Sequence, residues 1–83
     1  MSAPSLQQAL AQSLRAARAK LGWSQERLAS NAGLDRSYVG DIERGAVSPT
    51  LQTLEKLSAA LGIPASELIR IEVVVQAHKK VAG

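Results

Sequence analysis

The stretch QERLASNAGLDRSYVGDIER, residues 25–44, constrains the fold more than any other part of the sequence. Its pattern predicts two short helices joined by a tight turn, because Gly33 supplies the positive φ that such a turn requires. Ala29 is small where the two helices would cross closely. The apolar residues expected to share one small core are Leu28, Ala32, Leu34, Val39 and Ile42. The stretch therefore predicts a helix-turn-helix whose second helix presents its first residues outward.

Helical periodicity continues on both sides of this motif. Apolar residues recur at spacings of three and four, and glycines stand where helices should stop. Ser24 and Asp35 are expected to be the N-cap residues of the second and third helices, and Thr50 to start the fourth. The five predicted helices cover residues 5–20, 25–32, 35–44, 50–61 and 64 to about 69. The prediction is an all-α domain of five helices.

The pattern changes at residues 70–77, where β-branched residues become dense. The β-branched residues are Ile71, Val73, Val74 and Val75. They favour a short extended strand over a helix, and a lone strand needs a partner edge. The strand is expected either to pair with the same strand of a second copy or to pack back on its own domain.

These patterns predict a simple domain organisation. A chain of 83 residues makes one small domain and has no room for a second. Residues 1–4 are expected to form a flexible N-terminus and residues 5–69 the folded domain. Residues 70–83 are expected to be a C-terminal extension that holds the strand and a frayed tail.

Composition narrows the chemistry. The absence of cysteine excludes disulfides and thiolate-bound zinc or iron–sulfur centres. The only histidine, His78, has no second ligand at metal spacing, and no glycine-rich phosphate loop occurs. We therefore expect no enzyme activity, no cofactor and no metal. The net charge of +3 favours an anionic partner without identifying one.

Neither a signal peptide nor a membrane span is expected from the sequence. Residues 1–5 lack the basic region and long apolar stretch of a signal peptide, and no apolar run approaches the ~18 residues that a membrane span needs. A cytoplasmic protein with no membrane partner is expected. No small-molecule ligand is expected either, since there is no room for a sensor domain. Protein concentration, acting through dimerisation, is therefore expected to set how much of the partner is bound.

Residues 9–69 resemble the Cro/lambda-repressor (XRE-type) DNA-binding family. The blocks LGWSQERLASNAGL, DRSYVGDIERG and SPTLQTLEKLSAALGI follow the order and spacing of that family. Within the family, the block DRSYVGDIERG and the small size most resemble the controller proteins of restriction–modification systems. The resemblance implies a lambda-repressor-like domain that binds double-stranded DNA, with the helix at residues 35–44 in the major groove.

The resemblance also implies roles for individual residues. Base reading is implied for Arg36, Ser37, Tyr38 and Asp41, phosphate contact for Gln25, Arg44, Ser48 and Thr50, and a structural ion pair for Arg18 and Glu43. Several alternatives stay open. Arg36 can bind a guanine edge or a phosphate, and Ser37 a base or a phosphate. Tyr38 can contact DNA or pack over the first helix, and Asp41 can accept from cytosine N4 or pair with Arg44.

The expected function is transcription regulation by a homodimer on an inverted-repeat operator, because one recognition helix covers too few base pairs for genomic specificity. The expected dimer interface consists of Leu61, Ile63, Leu68, Ile69, Ile71, Val73 and Val75. The alternative is an antitoxin-like module that binds a protein partner and has autoregulatory DNA binding. That alternative predicts an apolar C-terminal surface that stays available in the homodimer.

Overall fold

A computed structural model describes residues 5–71 of the chain. The helices within this range are α1 (Leu6–Leu21), α2 (Gln25–Ala32), α3 (Arg36–Glu43), α4 (Leu51–Leu61) and α5 (Ala65–Leu68). No strand occurs within the described range, and none of its helices is long and apolar enough to cross a bilayer. The all-α prediction with five helices is confirmed. The expected N-terminus at 1–4, and the strand and tail beyond Ile71, lie outside the described residues.

Local capping signals set most helix boundaries. The Ser24 hydroxyl accepts a hydrogen bond of 3.0 Å from the Arg27 backbone N–H, and the Thr50 hydroxyl accepts one of 3.1 Å from the Thr53 N–H. These bonds satisfy backbone donors that the first helical turn leaves without partners. The expected cap at Ser24 is thus confirmed, and Thr50, which was expected to start the fourth helix, is the N-cap residue immediately before it.

The third helix differs from its prediction at both ends. It begins at Arg36 and ends at Glu43, inside the expected range 35–44. Asp35 occupies the N-cap position, but its side chain makes no capping hydrogen bond. Its ψ of 140° differs from the 168° at Ser24, where the side chain engages the helix. The carboxylate of Asp35 is therefore left exposed at the start of α3.

Gly33 forms the turn between α2 and α3. Its φ is +70°, which L-residues with a side chain rarely adopt. The next residue, Leu34, donates its N–H to the Ala29 carbonyl at 2.9 Å, as in a Schellman-type helix end. This turn fixes where α3 starts relative to α2, and so which residues α3 presents to solvent.

One core lies among all five helices. Its largest fully buried side chains are Leu14, Leu28, Val39, Ile42, Leu57 and Leu68. Helix α3 packs against both α1 and α2, whereas α4 packs on α2 and α5. Of the apolar residues predicted for the helix-turn-helix core, Leu34 lies at the edge and the others are buried. The inner face of α3 is therefore held on two sides.

Two residues expected at the dimer interface lie inside this core instead. Leu61 and Leu68 are buried, because α5 folds back against α1 and α4. Both side chains belong to the monomer core, so little of either is left to contact a second copy. Ile63, Ile69 and Ile71 are half-buried, so part of each side chain reaches solvent. The other two expected interface residues, Val73 and Val75, lie outside the described residues.

Candidate nucleic-acid interface

The first turn of α3 presents polar side chains with free donors. Arg36 and Ser37 are both exposed, and within residues 5–71 neither side chain makes a hydrogen bond or an ion pair. A guanidinium offers five N–H donors in a fixed fork, and a hydroxyl offers one donor and two acceptor sites. This turn is therefore equipped to bind an external partner rich in acceptors. Base reading by these residues remains a prediction.

Tyr38 sits differently from its two neighbours. Its ring is half-buried and packs at the edge of the core, and its hydroxyl lies 3.5 Å from the Thr53 hydroxyl of α4. One of the two expectations for Tyr38 is that its ring packs over α1, whereas the polar contact of its hydroxyl is with α4. The residue stays partly exposed, so a DNA contact remains a prediction.

The carboxylate of Glu43 joins three helices. Arg18 of α1 donates to it through Nε at 2.7 Å and Nη2 at 2.9 Å, and Gln25 of α2 donates through Nε2 at 2.9 Å. Arg18 also donates Nη1 to the Trp23 carbonyl at 2.8 Å. Only 2% of Glu43 is exposed. The expected ion pair is present, and the structure adds Gln25 as a third member.

Helix α1 also binds the carbonyl groups at the end of α3. Gln7 donates Nε2 to the Gly45 carbonyl at 2.7 Å, and Arg15 donates to the Glu43 carbonyl. The last carbonyls of a helix carry partial negative charge and lack intrahelical partners, so a cationic donor there is favourable. Sequence reasoning missed both residues, because an exposed Gln or Arg on a helix looks like a solvated side chain. These two bonds join the end of α3 and the residues just after it to α1.

The surroundings of Glu43 keep it ionised. Burial opposes the charged form and on its own raises the pKa, but the hydrogen bonds from Arg18 and Gln25 and the charges of Arg18 and Arg15 outweigh it. The pKa of Glu43 therefore lies below its ordinary value of 4.5. The same hydrogen bond raises the pKa of Arg18. Both partners stay charged across the physiological range.

Acidification should weaken the fold through this carboxylate. A pKa lower in the folded than in the unfolded protein stabilises the fold above the unfolded value, and that contribution is lost as the pH falls through the folded value. The contribution of Glu43 is thus complete above pH 4.5 and lost below it. We expect the difference in Tm between wild type and Glu43→Gln to narrow as the pH falls below 4.5. Thermal melts followed by circular dichroism measure this, and two parallel curves would contradict it.

The residues expected to contact phosphate surround α3, and two of them already have partners. Gln25, the first residue of α2, is bonded to Glu43, and Arg44 pairs with Asp41. Gln25 keeps a second amide hydrogen, and the start of α2 carries partial positive charge. Arg44 is exposed. The structure therefore brings both side chains to one end of the helix-turn-helix.

The loop between α3 and α4 holds the other two. Ser48 is exposed and makes no hydrogen bond within the described part of the chain. Thr50 is exposed too, but its hydroxyl caps α4 and also donates to the Thr53 hydroxyl at 3.2 Å. Its remaining acceptor site does not suit a phosphate oxygen, so Ser48 is the better equipped of the two.

The helix-turn-helix family profile matches residues 14–68, from the middle of α1 to the last residue of α5. The match covers well over half of the chain and includes α2, the Gly33 turn and α3. The chain belongs to the XRE-type helix-turn-helix family. Its expected place in the Cro/lambda-repressor group is thereby confirmed.

Relatives of this XRE-type domain include transcription regulators and controller proteins. The Neisseria hypothetical transcription factor of Neisseria meningitidis serogroup B is 45% identical over 64 residues, which cover 77% of this chain and 60% of that protein. Control protein C.BamHI of Bacillus amyloliquefaciens is 38% identical over 61 residues, covering 74% of this chain and 75% of that protein. The aligned region thus spans less than two thirds of the length of the Neisseria protein.

Solved structures share the fold of this XRE-type domain. The crystal structure of the Neisseria transcription factor NHTF superposes with a TM-score of 0.79 at 38% identity, covering 98% of this chain and 93% of that one. The crystal structure of the restriction–modification controller protein C.AhdI of Aeromonas hydrophila superposes with a TM-score of 0.72 at 47% identity, covering 75% of this chain and 94% of that one. The predicted similarity to controller proteins is confirmed.

Proposed function

We propose that this XRE-type domain is a sequence-specific regulator of transcription that binds double-stranded DNA with α3 in the major groove. One observation carries the proposal. The first turn of α3 exposes Arg36 and Ser37 with free donors, while the far end of the same helix is fixed by the network around Glu43. A rigid helix of ~10–12 Å diameter with free donors at its N-terminal end suits the major groove.

Base recognition is assigned to the first turn of α3. Arg36 binds the O6 and N7 acceptors of a guanine through two N–H donors, which contributes about 1 to 3 kcal/mol of discrimination. Ser37 bonds a neighbouring base. Ser48 and the start of α2 at Gln25 contact phosphates on the two sides of the groove and set the orientation of α3. Base and phosphate contacts thus have separate residues.

This assignment can be mapped residue by residue. Titration of the isotope-labelled protein with a duplex selected for binding should shift amide resonances most in the first turn of α3, the start of α2 and the loop at residues 46–50. These are the elements that the proposal places nearest to DNA. Shifts concentrated on α5 and the first turn of α1 would contradict the docking geometry.

The proposed assembly is a homodimer, since two copies are needed to read an operator longer than one half-site. The candidate contact is an apolar groove between the starts of α1 and α4. Its apolar lining consists of Leu6, Leu10, Pro49, Leu51, Leu54 and Ile69. Its polar lining consists of Gln7, Ser48 and Thr50, so Ser48 borders both the proposed dimer contact and the proposed phosphate contact. Leu6 is 58% exposed and Leu51 80%, although both are large and apolar.

A second copy of the chain is the occupant we assign to this groove. Ile69, which belongs to the interface expected from sequence, lines the groove, so the groove continues that surface. Ile71 lies two residues after Ile69, and Val73 and Val75 follow in the sequence. Two-fold symmetry lets the same patch contribute on both copies, so each apolar contact counts twice.

Leu51→Lys is expected to separate the dimer without unfolding the domain. It removes a large apolar contact and adds a charge on both sides of a symmetric interface, so the dimer dissociation constant should rise roughly 100-fold or more. The neighbouring Gln52 is also exposed, and Gln52→Lys is the matched control for the added charge. Analytical ultracentrifugation measures both. An unchanged dimer in Leu51→Lys with an intact fold would contradict this interface.

The controller role is a narrower form of the same proposal. It is supported by the similarity to C.BamHI, of which the aligned region covers 75%, and to the structure of C.AhdI. The alternative is the antitoxin-like module that binds a protein partner and has autoregulatory DNA binding. The exposed apolar groove is the observation that favours this alternative. A homodimer that is unaffected by Leu51→Lys would leave the groove open for such a partner.

A further inference from the structure

Asp41 is the acidic side chain in the middle of α3, at a position where the resemblance implies base reading. Its carboxylate is bound by the guanidinium of Arg44, three residues later. The Arg44 side chain is 65% exposed and that of Asp41 is 40% exposed. The pair therefore lies on the solvent side of the helix that we place in the groove.

The absence of a side chain at Gly40 leaves room for the Arg44 guanidinium. Gly40 is buried, and a Cβ built on it would lie 3.3 Å from Nη1 of Arg44 and 3.7 Å from Oε1 of Gln25. The guanidinium thus folds back along α3, over Gly40 and beside the start of α2. The guanidinium of Arg44 and the amide of Gln25, both expected to contact phosphate, therefore lie near the same point of α3. The carboxylate of Asp41 is bound to that guanidinium.

The charges around this point nearly cancel. Arg44 is offset by Asp41, and the buried Glu43 is offset by Arg18. Gln25 is neutral, and Arg15 of α1 binds the Glu43 carbonyl. A phosphate that approaches Arg44 must share it with the carboxylate or displace the carboxylate. Sequence-independent attraction is therefore weaker than the two arginines, Arg15 and Arg44, would suggest.

We propose that Asp41 sets the strength of phosphate binding by acting on Arg44 rather than by reading a base. It competes with DNA phosphate for the guanidinium and so lowers the sequence-independent part of the affinity. Base recognition stays with Arg36 and Ser37. The proposal rests on the proposed DNA-binding function, and it assigns Asp41 differently from the base-reading role implied by the resemblance.

The test compares wild type with Asp41→Asn, which keeps the shape and removes the charge. Affinity for a random-sequence duplex should rise roughly five- to ten-fold at about 0.1 M salt, and the slope of log K against log salt should steepen by about 0.9. Repeated selection from a random pool should return the same preferred base at every position. Arg44→Ala should lower affinity more in the Asp41→Asn background than in wild type.

Glu67→Gln is the matched control. Glu67 forms the same kind of i,i+3 pair with Arg70, at 3.6 Å, but it belongs to α5 and not to α3. It removes one negative charge from the chain and should leave the salt slope unchanged. An equal change in Glu67→Gln would show that net charge alone is responsible, which would overturn the proposal.

Two other results would overturn it. If Asp41→Asn changes the preferred base at one operator position, Asp41 reads that base. If affinity and slope for random duplex stay at the wild-type values, Arg44 and Asp41 do not compete for phosphate. Failure of wild type to select any sequence would instead overturn the proposed function alone, because the slopes on random duplex still test Asp41.

Discussion

Replacing Arg18 by Met is expected to lower the free energy of unfolding by about 3 to 5 kcal/mol, because it leaves a buried carboxylate without its charge partner. Glu43 is only 2% exposed and would keep the Gln25 amide as its remaining side-chain donor. Small domains have unfolding free energies of about 5 to 15 kcal/mol, so the variant should be marginally folded. Urea denaturation followed by circular dichroism measures the loss.

Two further variants separate the missing charge partner from lost packing. In Arg18→Met with Glu43→Leu, no charge remains buried, and most of the lost stability should return. Arg27→Met is the control for an arginine that is exposed; its guanidinium lies 5.4 Å from the Trp23 ring centre. Arg27→Met should lower the free energy of unfolding by about 1 kcal/mol or less. A double variant as unstable as Arg18→Met would contradict the account.

The double variant Arg36→Ala, Ser37→Ala is expected to lose operator binding and keep its fold. The loss of two base contacts should weaken binding to the selected site by about 2 to 4 kcal/mol, which corresponds to roughly a 30- to 1,000-fold lower affinity. Affinity for random duplex should fall much less, since only one charge is removed. Fluorescence anisotropy on both duplexes measures the two losses.

The matched control removes the same groups elsewhere. Lys56 on α4 and Ser66 on α5 are exposed, so Lys56→Ala, Ser66→Ala also removes one positive charge and one hydroxyl. Its affinity for the selected site should stay close to that of wild type. Equal losses in the two double variants would mean that charge, and not the first turn of α3, carries the recognition.

Helix positions could be predicted because their signals are local. Ser24 and Thr50 cap helices through a side chain three residues from its partner, and Gly33 ends α2 with a positive φ. Asp35 is the exception, since the residue type suits a cap but the backbone does not bring its carboxylate into place. Capping chemistry identifies candidates, and the backbone decides whether the bond forms.

The network around Glu43 depends on distant parts of the chain. Arg18 and Gln25 lie 25 and 18 residues from Glu43 in sequence, and Arg15 lies 28 away. No local pattern connects such residues. The family resemblance pointed to Arg18, but the bonds from Gln25 and Arg15 follow only from how α1 and α2 pack on α3. The charge pairing at the end of α3 therefore cannot be predicted from the sequence alone.

The dimer residues illustrate a different limit. A surplus of apolar residues near the C-terminal end predicted an interface, but hydrophobicity does not distinguish burial inside one chain from burial between two chains. Leu61 and Leu68 fill the monomer core, whereas Leu6 and Leu51 are the large apolar side chains left exposed at the groove. Each is the first residue of its helix, and sequence periodicity does not show whether the groove between the two helix starts is covered.

Selection from a random duplex pool tests whether α3 reads a sequence. We expect an enriched inverted repeat with half-sites about 34 Å apart. Wild type should bind this site tightly, and the folded Arg36→Ala, Ser37→Ala variant should bind it weakly. Enrichment of no sequence, with only steeply salt-dependent binding left, would contradict sequence reading by α3 and make a protein-binding module the better explanation.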